Sequence, residues 1–81
     1  MNKFQVYSVM LEGVDASMGF FMNIEVAAPD STHAAELALE RARELGLSIN
    51  GVEEITRTKR SSGSGPEVLS TSGKSYFPLE Q

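Results

Sequence analysis

The stretch Asp30–Gly46, D-S-T-H-A-A-E-L-A-L-E-R-A-R-E-L-G, constrains the fold more than any other part of the chain. Placed at about 100° per residue, Ala34, Ala35, Ala38, Leu39, Ala42 and Leu45 fall in one arc. Glu36, Glu40, Arg41, Arg43 and Glu44 fill the rest of the circumference, so the spacing predicts an amphipathic helix. Asp30 or Ser31 can cap its N-terminus by accepting from free backbone N–H groups. Gly46 supplies the left-handed residue just past its end, and Leu47 can fold back on Ala42. Four of the six inward residues are alanine. A face of so little volume must lie close against something flat, and a β-sheet is the natural partner.

The strands of that sheet flank the helix in sequence. Lys3–Glu12 places Phe4, Val6, Ser8 and Met10 on one side and Gln5, Tyr7, Val9 and Leu11 on the other. Both sides are largely apolar, which predicts a central strand covered on both faces. Gly13–Gly19 reads as a loop with glycine at each end. Phe20–Ala28 alternates more cleanly, with Phe20, Met22, Ile24, Val26 and Ala28 pointing one way, under the helix. Leu47–Thr58 predicts a third strand in which Val52 and Ile55 are out of phase. A bulge near Glu53–Glu54, or a turn at Asn50–Gly51, reconciles them. Residues 59–65, K-R-S-S-G-S-G, contain no apolar side chain and read as a flexible connection. Pro66–Thr71 and Lys74–Leu79 flank Ser72-Gly73 and predict a small hairpin, with Pro78 on an edge. The expected architecture is a single two-layer α+β domain over residues 1–81. Its order is β-β-α-β plus a C-terminal β-hairpin, with one helix packed on a mainly antiparallel sheet.

Eighty-one residues suffice for one core and not for two. The chain has no cysteine, which removes disulfides and thiolate metal sites and fits a reducing compartment. No apolar run approaches the ~20 residues of a membrane span. The opening M-N-K-F-Q-V-Y-S lacks the pattern of a secretory signal, so a soluble cytoplasmic protein is expected. The net charge of −4 is unevenly spread. Residues 1–56 carry nine acidic and three basic side chains; residues 57–81 carry two acidic and four basic. A nucleic-acid binder is normally basic across its working face, so this acidic body argues for a basic protein partner instead.

Little in the chain supports catalysis. His33 is the single histidine, and it falls in the first turn of the helix. A zinc site would need further histidines or cysteines, and a Ser–His–Asp set would rest wholly on His33. S-S-G-S-G at residues 61–65 shares the composition of a phosphate loop but lacks its G-K-[ST] ending. Glu53 and Glu54, as strand neighbours, face opposite ways and cannot form an acid–base couple. The chain reads as a non-enzyme without metal or cofactor.

Two charge features remain. Glu36, Glu40 and Glu44 recur every fourth residue and align on one helix flank, with Leu37 exposed at its edge. Like charges so spaced oppose one another by ~0.2–0.5 kcal/mol per pair. The flank is either an ordinary solvated face or an acidic contact strip with Leu37 as an apolar anchor. Arg57, Lys59 and Arg60 suit the protection of an edge strand, or less well a phosphate contact.

The pattern G-F-F-M-N-I-E-V-A-A-P-D-S-T-H-A-A-E-L-A-L-E-R-A-R-E, closing with S-G-K-S-Y-F-P-L-E, resembles small bacterial cytosolic proteins of the immunity type, the antidotes to secreted toxins. The likeness spans most of the chain and is one of size, charge and layout. It implies a protein that blocks a toxin's active site without catalysis of its own. For such an inhibitor the contact candidates are Glu36, Leu37, Glu40 and Glu44, together with Asp15 and Met18 of the Gly13–Gly19 segment. A homo-oligomeric module is the alternative, pairing two copies through Tyr7, Val9, Leu11 and Phe21 on an outer sheet face. A nucleic-acid regulator working through Arg57, Lys59 and Arg60 is the third reading.

Overall fold

The computed structural model describes residues 3–79. Its first two strands, β1 (Phe4–Asp15) and β2 (Met18–Ala28), form one long antiparallel hairpin. The expected Gly13–Gly19 loop shrinks to the two residues Ala16 and Ser17, because Asp15 pairs directly with Met18. Ala16 has φ 57, so the turn carries its positive φ at the first central position, as a type II′ turn does. Both glycines lie inside the strands, where aromatic rings from the adjacent strand fill their space. A Cβ on Gly13 would stand 2.5 Å from Phe20 Cζ and 2.4 Å from the Ser48 carbonyl oxygen; one on Gly19 would stand 2.4 Å from the Phe77 ring. Glycine here marks a close approach and not a loop.

The helix α1 (Ser31–Glu44) ends as its sequence predicts. Asp30 is the N-cap, accepting from the His33 amide at 2.9 Å. At the other end Gly46 has φ 75, the Leu47 amide donates to the Ala42 carbonyl and the Gly46 amide to that of Arg43, both at 3.0 Å. This is a Schellman close. Ala34, Ala38 and Ala42 form a ridge with no exposed surface. Leu37 and Leu39, one residue to each side of Ala38, lie about 100° to either side of that ridge and reach down both flanks of the helix to the core. Leu37 is therefore half-buried, not exposed as expected. Leu45, expected inward, is 45% exposed because it is the C-cap, where the chain turns toward the next strand.

That strand, β3 (Ser48–Ser62), pairs with the free side of β1, so β1 is central as predicted. Since β2 and β3 both run antiparallel to β1, they are parallel to each other, and α1 is the crossover between them. The β1–β3 ladder shifts register at Met10/Leu11, where Glu53 is the extra residue, and again at Glu12/Gly13. The bulge at Glu53 sets Ile55 opposite Val9 and Val52 opposite Leu11, which brings both apolar residues onto the helix side. The core there consists of Tyr7, Val9, Leu11, Phe20, Met22, Ile24, Val26 and Ala28 beneath the alanine ridge.

Two expectations for the C-terminal third do not hold. Residues 59–62 belong to β3, with Ser61 and Ser62 paired to Gln5 and Phe4, so only the remainder of the 59–65 segment is a connection. It crosses the face of the sheet opposite the helix: a Cβ at Gly65 would lie 3.2 Å from Ala27 Cβ and 3.3 Å from Phe4 Cδ2. The predicted hairpin is also replaced. β4 (Glu67–Thr71) and β5 (Ser75–Pro78) do not pair with each other; both pair with β2, β4 along Ile24–Ala27 and β5 along Met18–Phe21. They form one interrupted edge strand, with Pro78 on the edge as predicted. Ser72, in the break, donates its amide to the Asn23 carbonyl and accepts the Asn23 amide at its hydroxyl, both at 2.8 Å. A chain already held to β2 by these bonds has no reason to reverse at Ser72-Gly73. The result is one helix on a mainly antiparallel five-stranded sheet of order β3-β1-β2-β4, with β5 also on β2. No helix among the described residues is long and apolar enough to cross a membrane.

Candidate partner-binding surface

The titratable groups of the helix N-terminus serve the cap. Asp30 Oδ1 accepts the His33 amide and lies 3.0 Å from His33 Nδ1. The backbone bond from His33, followed by the side-chain one, lowers the Asp30 pKa below 3.8, and the Asp30 hydrogen bond raises that of His33 above 6.5. Both side chains are 56% exposed. Among the described residues no three His, Cys, Asp or Glu side chains gather in a way that could hold a metal ion.

The acidic flank of α1 is the wall of a groove. Glu36, Glu40 and Glu44 are exposed, and Glu40 and Glu44 stand with Leu37 and Arg41 across from Val68, Leu69, Ser70 and Thr71 of β4. The open space between them measures ≈ 440 Å³. Its floor is apolar (Leu37, Val68) and its rim is charged. Arg41 Nη1 donates to Glu44 Oε1 at 3.2 Å, which interrupts the acidic row at its C-terminal end. Leu69 is the extra residue of a bulge between the Glu25–Ser70 and Val26–Val68 pairs, and it is 39% exposed. A smaller groove on the other side of α1, ≈ 250 Å³, lies among Leu39, Arg43, Leu47 and Ile49.

Asp15 and Met18 close the tip of the hairpin, opposite each other. Met18 is half-buried beside Pro78. Asp15 Oδ2 accepts from Lys74 Nζ at 3.1 Å and from the Tyr76 hydroxyl at 3.0 Å. These two bonds, Lys74 first, hold its carboxyl below 3.8, and the same bond raises Lys74 above 10.5. Tyr76 meets Phe20 edge to face, centroids 6.2 Å apart, and remains 51% exposed. Phe20 belongs to the helix side of the sheet and Tyr76 pairs with it, so the tip and the groove share one face along the β4–β5 edge.

The expected dimer face does not exist as a set. Tyr7, Val9 and Leu11 lie in the core beneath α1, at 8%, 0% and 0% exposure; only Phe21 faces outward. Antiparallel partners point to the same side, and Tyr7, Val9 and Leu11 sit opposite Val26, Ile24 and Met22. The outer side instead presents Ser8, Met10, Glu12, Val14, Phe21, Asn23 and Glu25, and it is largely self-covered. Asn23 Nδ2 donates to Ser8 Oγ at 2.7 Å, Arg60 pairs with Glu25, and Phe21 stacks on Phe77 with centroids 4.9 Å apart. Of the basic residues on β3, Arg57 donates to Gln5 Oε1 at 3.1 Å and Arg60 is engaged with Glu25, while Lys59 is exposed.

No known protein family, curated protein or solved structure matches the chain. Within the chain, the structure joins Leu37, Glu40 and Glu44 in one groove, leaves Glu36 outside it, and places Asp15 and Met18 at the tip. The reading of the sequence missed Val68, Leu69, Lys74 and Tyr76. For Val68, Leu69 and Tyr76 the signal was the apolar content of E-V-L-S-T and S-Y-F-P, which predicted strands but not the partner beside which those strands lie; Lys74, between the two runs, carried no such signal.

Proposed function

We propose that this protein acts by binding another protein, as an immunity-type inhibitor that occludes the active site of a basic toxin domain. The observation that carries the reading is where exposed apolar surface falls. Of the four large hydrophobic side chains most exposed among the described residues, Leu69, Tyr76 and Leu79 lie on or just past the β4–β5 edge. Surface leucines and tyrosines concentrated on one edge mark a contact site more readily than scattered ones do. The carboxylates of Glu40 and Glu44 stand beside that edge, Glu36 lies one turn further along the same helix flank, and the chain as a whole carries −4. Such a field draws in a basic partner and penalises an acidic one. Self-association through the outer sheet face has less in its favour, because polar bonds and the Phe21–Phe77 stack already finish much of that face.

The test starts from affinity capture in the source cells and reconstitution with the captured protein. Glu36→Lys, Glu40→Lys and Glu44→Lys together should leave the fold intact, slow association, and flatten its salt dependence. Leu69→Ala and Tyr76→Ala should raise the off-rate with little effect on association. A partner whose rates respond to neither set binds elsewhere, and the reading falls.

A further inference from the structure

The hairpin tip has the makeup of a cation site whose ligand is part of the same chain. Lys74 stands in the break between β4 and β5, outside both strands. Its Nζ lies 4.8 Å from the centre of the Phe20 ring and 5.9 Å from that of Tyr76, both within the ~6 Å reach of a cation–π contact. The same nitrogen donates to Asp15 Oδ2 at 3.1 Å. The two rings stand at 63° to each other and so make a corner. The Tyr76 hydroxyl donates to the same Asp15 oxygen, which ties one wall of the corner to the carboxylate. Two aromatic faces and a carboxylate around one ammonium are what proteins use to recognise lysine-like cations. Phe20 has no exposed surface, yet part of its cover is this one flexible side chain, itself 26% exposed.

We infer that Phe20, Tyr76 and Asp15 form an ammonium-binding site, filled by Lys74 in the free protein and by a lysine of the basic protein partner in the complex. The exchange balances charge, since one ammonium leaves the Asp15 carboxylate as another arrives and the Lys74 head passes into water. Its enthalpic cost is small for the same reason, and long lysine side chains reach solvent easily. The identity of the incoming lysine rests on the partner-binding reading above. The site itself is tested without any partner, so the two can fail separately.

The probe is N-acetyl-lysine methylamide, titrated by NMR into wild type, Lys74→Ala and Lys74→Ser. The emptied site should give saturable shifts of the Phe20 and Tyr76 ring signals in the millimolar range. Wild type should bind at least ten-fold more weakly, because Lys74 competes from within the chain. Adding Asp15→Asn or Tyr76→Leu to Lys74→Ala should abolish saturation. Tetramethylammonium has no N–H to give Asp15 and should bind several-fold more weakly than the lysine probe. Folded Lys74 variants without saturable shifts overturn the inference, as does equal binding by wild type or by tetramethylammonium. Should neither variant fold, wild type is titrated to high probe concentration while the Lys74 Nζ signal is followed. Its displacement supports the site, and an unmoved signal overturns it.

Discussion

The two edges of this sheet meet the same problem in opposite ways. Any edge strand exposes unpaired N–H and C=O groups that invite a stray strand. On one side β3 runs for 15 residues, bends at three register shifts, and carries Arg57, Lys59 and Arg60. Two of those cations are turned onto neighbours within the sheet, Gln5 and Glu25. On the other side β4 and β5 are five and four residues long, broken at Ser72–Lys74, and carry Leu69 and Tyr76 in the open. Charge and irregularity close the first edge, whereas the second is kept short and broken and exposes Leu69 and Tyr76. On the reading proposed above, the partner docks along the second edge, where Leu69 and Tyr76 are exposed.

The sharpest way to break this contrast is to press one methyl group from an inner strand toward each edge. Gly13→Ala drives a Cβ to 2.4 Å from the Ser48 carbonyl oxygen, at the start of β3, and against the fully buried Phe20 ring. Neither can move freely, so a loss of ~1–3 kcal/mol is expected from denaturant unfolding. Gly19→Ala first meets the Phe77 ring, on the β5 side, and a half-buried side chain yields more readily than a backbone carbonyl. It should cost less than half as much. Equal losses would show that the two edges are equally rigid.

A smaller effect separates the edges by hydrogen exchange. Ladder amides joining β4 and β5 to β2 should exchange roughly ten-fold faster than those joining β3 to β1, because short strands open locally at lower free energy. Slower exchange on the β4–β5 side would reverse the comparison.

The smallest effect is on pH. The Asp15 pKa is lowered in the folded state by Lys74 and Tyr76, so its contribution is present above the ordinary value of 3.8 and is lost as pH falls through the folded value. Lys74 is raised above 10.5, so its share is present below 10.5 and is lost as pH rises through the folded value. The amides of residues 75–78 should therefore loosen on acidification below about pH 4, and Asp15→Asn should remove that limb. The groups are exposed, so the change is local. An acid limb that survives in Asp15→Asn assigns it to another carboxyl.

The helix was the most legible element, since cap, alanine ridge and terminal glycine all act within a few residues of one another. The alternation of β2 was equally plain, and so was the phase conflict between Val52 and Ile55, which the bulge at Glu53 resolves. The surface proposed to bind a partner was legible only in halves. Glu40, Glu44 and Leu37 follow from helical spacing, but their neighbours Val68 and Leu69 are some thirty residues away, brought in by the β2–β4 pairing. The misplacement of Tyr7, Val9 and Leu11 has the same origin. Each strand's two faces are visible in its sequence, yet which face meets the helix depends on the register between strands.

By itself, the sequence determined what short-range forces decide: the extent and caps of α1, the alternation of β2, the central place of β1, and the acidic balance of the body. Tertiary structure decided what depends on contacts distant in the chain. It turned the glycines of the supposed loop into strand positions filled by Phe20 and Phe77, laid β4 and β5 end to end along β2, and placed Lys74 over Phe20 beside Asp15. The physical reason is that a residue's local preferences are worth a fraction of a kcal/mol, ~0–1 for backbone propensity. Pairing with a distant strand and covering an aromatic ring outweigh them, and nothing local in the sequence records which distant strand that will be.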